Sequence, residues 1–163
     1  MADKFRVRLA TSDNAQDIHD CVTALASFER EPDAVKVTVA DYRAFLSQSP
    51  PPFQVLLAET HDGSEVAGMA LFFNTFSTWE GVSIYLEDLF VHEKFRGAGV
   101  GTLLLASLAE LAREKGYKRV DWCCLSWNEK ALNFYKSLGA EVLEDWRMIR
   151  LSGDNIANLS NRK

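Results

Sequence analysis

A glutamate in the middle of an apolar strand is the first residue of this chain that invites a chemical reading. It is Glu87, in Ile84-Tyr85-Leu86-Glu87-Asp88-Leu89-Phe90. A carboxylate there is expensive unless it is paired or used to move a proton. A structurally paired acid on the sheet is the plain alternative. Asp88 would point to the opposite face of a regular strand, so both carboxylates can serve one site only if the strand is bulged. The second feature is Arg96-Gly97-Ala98-Gly99-Val100-Gly101. It follows a strand and opens an apolar helical run, so its backbone N–H groups can converge on an anion at a helix N-terminus, with Arg96 as an added cation. A tight turn with no ligand is the alternative here. No lysine follows Gly101, which excludes a P-loop. The spacing Gly97-x-Gly99-x-Gly101, in the second half of the chain, excludes a dinucleotide fingerprint.

The elements that must position these groups follow from periodicity. Phe5, Val7 and Leu9 alternate with Arg6 and Arg8 as an opening strand. Thr11-Ser12-Asp13 offers N-cap chemistry to a helix with the stripe Ile18, Cys21, Val22 and Leu25. Residues 29–39 read as a loop or short helix, and Val39-Ala40-Asp41 leads a helical stretch through Phe45 and Leu46. The run Pro50-Pro51-Pro52 marks a surface connection. Strands are expected over 54–59 and 65–73, joined by a turn at His61-Asp62-Gly63-Ser64, and over 83–91. The glycine loop feeds a helix over 102–115 closed by Gly116. A buried strand over 119–125, a helix over 128–138 ending at Gly139, and a last strand over 142–151 complete a mixed α/β sheet. The tail from Ser152 is polar and expected to fray. No repeat or linker interrupts the 163 residues, which are read as one domain, 1–163.

Composition narrows the function classes. Hydrophobic residues make up 47%, enough for one full core. The net charge of −5 disfavours a phosphate backbone as partner and suits a cationic small substrate. Cys21, Cys123 and Cys124 form no disulfide framework or metal-ligand spacing and are read as reduced thiols. The N-terminus, Met1-Ala2-Asp3-Lys4-Phe5-Arg6, has no apolar leader, and no run is long enough to span a bilayer. The expectation is a cytoplasmic protein with no metal, no nucleic acid and no membrane partner.

Arg96-x-x-Gly99-x-Gly101 after the strand Tyr85-Leu86-Glu87-Asp88-Leu89-Phe90-Val91 resembles the acetyl-CoA signature of the GNAT superfamily. Trp127-Asn128-Glu129, Asn133-Phe134-Tyr135-Lys136 and Leu138-Gly139-Ala140 add a resemblance to the diamine acetyltransferases, which comprise spermidine/spermine and thialysine enzymes. The likeness covers the chain to about Leu151. It implies a GNAT fold: a mixed, mostly antiparallel seven-stranded sheet flanked by helices, with splayed central parallel strands and a homodimeric assembly. It also implies acetyl-CoA as cosubstrate. The pantetheine arm would pair with the backbone of Leu89, Phe90 and Val91 like an added strand. Arg96, Gly97, Ala98, Gly99, Val100, Gly101 and Thr102 would hold the pyrophosphate, and Asn128, Glu129, Lys130 and Ala131 would line the other side of the cofactor.

Acetyl transfer to an amine needs a neutral amine, a donor for the oxyanion and a proton for the leaving thiolate. An alkyl amine has a pKa near 10.4, so deprotonation at pH 7 costs about 4.6 kcal/mol. By resemblance Glu87 is the base, directly or through a water, and Tyr135, which also touches the cofactor, is the acid. A half-buried core tyrosine is the alternative for Tyr135. The backbone N–H near Leu89 would serve the oxyanion. Phe28, Glu29, Trp79, Glu87, Asp88 and Trp146 match substrate-binding positions, with Phe28 standing where polyamine enzymes usually carry tyrosine. Polyamine enzymes also place an acid where Ser77 stands and a histidine where Asp121 stands. Both departures resemble the thialysine branch. A small aliphatic amine or diamino acid is therefore the expected acceptor. A protein lysine or N-terminal acetyltransferase, or a catalytically silent acyl-CoA-binding module, are the other readings.

Overall fold

The computed structural model describes residues 4–162, and they divide into two compact units with the boundary after Cys123. Met1, Ala2 and Asp3, on which part of the leader reading rested, lie outside the described residues, as does Lys163 at the end of the tail.

The first unit is built on a sheet of β1 (Phe5–Leu9), β2 (Gln54–Thr60), β3 (Val66–Ser77), β4 (Gly81–Val91) and β5 (Val120–Trp122), paired in that order. Neighbours run antiparallel except β4 and β5, which are parallel. Helices α1 (Ala15–Phe28) and α2 (Val39–Leu46) precede β2, and α3 (Val100–Glu114) joins β4 to β5. Local chemistry sets their ends. Thr38 and Asp41 form a reciprocal capping box at α2, and Gly116 follows α3 at φ +69°.

Strand alternation gives the sheet two apolar faces. Leu56, Ala58, Ala70, Phe72, Ile84 and Leu86 pack on Val100, Leu104, Leu108 and Ala112, the four-residue stripe of α3. Val55, Leu57, Met69, Leu71 and Phe90 pack on Ala15, Ile18 and Cys21 of α1 and on Tyr42 of α2. Within β4 the parity changes: Ile84 and Leu86 face α3, whereas Phe90, an even number of residues on, faces α1 and α2. The register explains it. Phe72 pairs with Leu86 and Leu71 with Asp88, which leaves Glu87 as an extra residue, a β-bulge.

The five strands correct the seven-stranded expectation. The β5 ladder covers only Val120 to Trp122 and not the expected 119–125. The segment 142–151 is not a strand: it turns instead, with the Glu144 N–H on the Val142 carbonyl and the Trp146 N–H on the Leu143 carbonyl. It belongs to the second unit, whose regular elements are α4 (Glu129–Ser137) and α5 (Asp154–Ser160). Among its described residues that unit holds no strand, so an alternating pattern there has no ladder to complete. The tail expected to fray instead carries α5. Among the described residues no helix is long and apolar enough to cross a membrane.

Gly68 lets β3 approach β4 closely beyond the bulge. A Cβ there would lie 2.3 Å from the Phe90 carbonyl oxygen and 3.1 Å from the Val91 Cα. Gly68→Ala is therefore expected to cost about 1–3 kcal/mol, lowering Tm by roughly 3–10 °C. Thermal unfolding reads this, and a Tm within a degree of the parent would contradict so close an approach.

Candidate active site

The bulge brings the two adjacent acids of β4 toward one face. Asp88 pairs with Leu71 and so lies on the α1–α2 side, while the extra residue Glu87 is exposed beside it. Burial pushes the Asp88 carboxyl up to about 6, helped by the negative charges of Glu87 and Glu29. Burial also raises Glu29, which caps the C-terminal end of α1. The Tyr42 phenol is raised by burial and then by the charge of Asp88. Glu29 and Glu87 thus both act on Asp88 near the C-terminal end of α1, and among the described residues no cation is paired with it.

Two residues before Glu87, Tyr85 shares this face. Its hydroxyl donates to Cys123 Sγ at 3.3 Å, and its ring lies 5.4 Å from Phe73. The bond to Cys123 raises the phenol above its ordinary range, with burial and the charges of Glu87 and Asp121 adding to it. Asp121 stands opposite Tyr85 in the parallel ladder.

That ladder ends at Leu86 and Trp122. Among the described residues β4 pairs with β3 alone from Glu87 to Val91, which leaves its other edge without a ladder partner. At the end of this edge Arg96 turns back, its Nε donating to the Val91 carbonyl at 3.0 Å and its guanidinium carbon 5.5 Å from the centre of the Phe28 ring. Gly97 and Gly99 follow at φ +78° and +86°, backbone that side chains rarely adopt. Gly99 is the N-cap of α3 and has no side chain to bond the first turn, so the N–H groups of Val100, Gly101 and Thr102 have no side-chain cap. A strand edge that is open and a helix N-terminus that is uncapped, joined by the seven residues 92–98, form a cradle for an extended, anionic molecule.

Residues 17–140 match the Acetyltransferase (GNAT) family. The chain belongs to the GNAT acetyltransferase family. It is 36% identical to the thialysine N-epsilon-acetyltransferase of Mus musculus, over 96% of this chain and 98% of that one. It is 31% identical to the L-ornithine N5-acetyltransferase NATA1 of Arabidopsis thaliana, over 91% and 85%. Among solved structures, an integron cassette protein from the mobile metagenome of V. cholerae superposes with a TM-score of 0.77 at 26% identity, covering 96% of this chain and 98% of that one. This GNAT protein is an acyl-CoA-dependent N-acetyltransferase. Acetyl-CoA, the family's cosubstrate, fits the cradle: the open β4 edge suits the amides of its arm, and the α3 N-terminus suits its pyrophosphate.

Of the expected site residues, the first unit gathers Glu29, Glu87 and Asp88, and sets Leu89, Phe90, Val91 and Arg96 to Thr102 along the cradle. Phe28 lies against Arg96. Trp79 is 84% exposed in the turn between β3 and β4. The second unit carries the others. The Asn128 side chain caps α4 by accepting the Ala131 N–H at 3.2 Å, with Glu129 and Lys130 in the first turn. Tyr135 is half-buried on α4, 5.4 Å from Phe134 ring to ring, and Trp146 is 73% exposed. Sequence reasoning missed Tyr42, Tyr85 and Cys123. Tyr85 could have been found by counting back two from Glu87; Tyr42 and Cys123 carry no such signal. Among the described residues no three His, Cys, Asp or Glu side chains are placed to hold a metal ion.

Asp88 titrates at about 6 when folded and near 3.9 when unfolded. The folded protein therefore binds the extra proton between these values, and stability falls as pH rises from about 4 to about 6. Asp88→Asn removes the buried charge. It is expected to stabilise the protein by about 1–3 kcal/mol at pH 7–8, with the gain vanishing near pH 4. Denaturant unfolding of both proteins across pH decides it; a gain independent of pH would show that Asp88 is not strained.

Proposed function

We propose that this enzyme acetylates the side-chain amine of a small diamino acid or a related diamine. The observation that carries the reading is the bulge at Glu87, which sets Glu87 and Asp88 beside Glu29 next to the open edge of β4. A cluster of unpaired carboxylates beside an acyl-CoA cradle suits an ammonium. Relatives named for thialysine and ornithine support the same acceptor class.

Bound along β4, acetyl-CoA supplies an electrophilic thioester carbonyl. Asp88 and Glu29 hold the incoming ammonium and draw it out of water. Glu87 takes its proton, directly or through a water, and the freed nitrogen lone pair forms the C–N bond. The backbone N–H at Leu89 donates to the carbonyl oxygen as charge builds on it. By its match to Asn133-Phe134-Tyr135-Lys136, Tyr135 is assigned the proton that the sulfur takes as the C–S bond breaks, and the second proton shed by the nitrogen as the amide forms restores the phenol. By resemblance, Phe28, Trp79 and Trp146 are assigned to the acceptor, and Asn128, Glu129, Lys130 and Ala131 to the cofactor. Ionisation of Asp88 near pH 6 sets the acidic limb of the pH–rate profile. The reading includes a single catalytic domain working as a cytoplasmic homodimer, with no metal and no nucleic acid or membrane partner.

An acceptor screen with acetyl-CoA, following free thiol, tests the substrate class: diamino acids and diamines should be turned over, whereas lysine-containing peptides should not. Glu87→Gln should lower kcat about 100-fold at pH 7 and recover partly at high pH, where solvent supplies neutral amine. A wild-type pH profile in that variant removes Glu87 from the mechanism. Tyr135→Phe should lower kcat with acetyl-CoA affinity retained.

Gly99→Ala tests the cradle. A Cβ there meets nothing within 4 Å, so its effect comes from the strained φ and from blocked approach to the phosphates. Calorimetry should show acetyl-CoA binding weakened by about tenfold in a folded variant; unchanged affinity would move the pyrophosphate elsewhere.

A further inference from the structure

At the turn between β3 and β4, Ser77 is buried and its hydroxyl accepts the backbone N–H groups of Trp79 and Glu80, both at 3.2 Å. Its oxygen is engaged by the turn itself. The charge at this end of the sheet comes instead from Arg119, just before β5. Its Nε donates to Asp121 Oδ2 at 2.7 Å and its Nη1 to Glu80 Oε2 at 3.1 Å, so one guanidinium ties the turn to the strand. Among the described residues its Nη2 has no partner, and its side chain is 37% exposed.

The register puts Arg119 on the acceptor face. Asp121 stands opposite Tyr85, and Arg119, two residues earlier, projects to the same side. Tyr85 senses the charges of both Asp121 and Glu87, so the acids at the two ends of this face are electrostatic neighbours. The Arg119 carbonyl accepts the Ile84 N–H at 3.2 Å, which sets Arg119 level with Ser83. From Ser83 to Glu87 the strand advances about 13 Å. An extended chain of lysine length places its carboxylate roughly 8 Å from its side-chain nitrogen, and the arginine side chain covers the remainder.

We propose that Arg119 reads the α-carboxylate of a diamino acid acceptor whose side-chain amine is held at Glu87 and Asp88. This rests on the small-amine reading above and assigns its specificity. Glu80 and Asp121 orient the guanidinium through two of its nitrogens, leaving the Nη2 edge as a charged donor for a carboxylate. A plain diamine or polyamine would bring a second ammonium to the same place, where Glu80 and Asp121 are already bonded to a cation that repels it.

The test uses acceptors matched except for the carboxylate: ornithine with putrescine, and thialysine with its decarboxylated diamine. Wild type should prefer the carboxylate-bearing member of each pair by at least about tenfold in kcat/KM. Arg119→Gln should lower kcat/KM for that member about tenfold or more, mainly through KM, and leave the diamine no worse, improved if anything as the repelling cation is lost. Arg119→Lys should retain part of the preference. Thialysine methyl ester, tested on the wild-type enzyme, removes the carboxylate charge without touching the fold, and should fall toward the diamine. An equal loss on both members in Arg119→Gln, a gain on the diamine with no loss on the acid, or an ester as good as the acid overturns the proposal while leaving amine acetylation intact. Wild type that acetylates neither member of either pair removes the small-amine reading itself, and this proposal with it.

Discussion

One inserted residue governs this site. A regular β4 would place Glu87 on the α1–α2 face and Asp88 on the α3 face, among Leu86, Val100 and Leu104. There the aspartate would be a buried charge in an apolar layer, and the layer would lose a packing position. With Glu87 unpaired, Asp88 moves to the side of Tyr42 and Glu29, and Leu89 returns to the α3 face. A bulge also bends its strand and steepens its twist. The parallel ladder with β5 ends at Leu86, the residue before the bulge. The same irregularity that gathers the acids therefore accompanies the opening of the β4 edge on which an acyl arm can lie.

The electrostatics follow from that placement. Burial, with the charges of Glu87 and Glu29 adding to it, pushes the Asp88 carboxyl up to about 6. Elsewhere on the unit buried charge is matched: Glu59 accepts from both Arg6 and Arg8, and those bonds hold its carboxyl below the usual range. That contrast is what supports the ammonium site proposed at the α1–β4 acids. A fold that can satisfy Glu59 with two arginines, yet leaves three acids facing one another, retains a destabilising feature that a bound cation relieves.

Much of this fold was legible in the sequence because its signals are local. The α3 stripe, the Asn128 cap, the turn at His61 to Ser64 and the glycine loop each depend on residues a few positions apart. The bulge was legible only as a condition, since it is a property of the register between β3 and β4. Residues 142–151 show why alternation alone misleads: Trp146, Met148 and Ile149 have strand character, but a strand exists only where another backbone accepts its hydrogen bonds. The residues missed at the site share the same cause. Tyr42 reaches Asp88 from a helix more than forty residues earlier, and Arg119 meets Glu80 across nearly forty.

Arg96 shows how closely the two halves of the reaction are joined within the first unit. Its backbone begins the glycine loop, its Nε holds the carbonyl at the end of the open β4 edge, and its face lies on Phe28. Phe28 in turn precedes Glu29, one of the acceptor acids. In the proposed reaction, the pyrophosphate cradle and the acceptor acids are thus linked through one side chain at the end of α1.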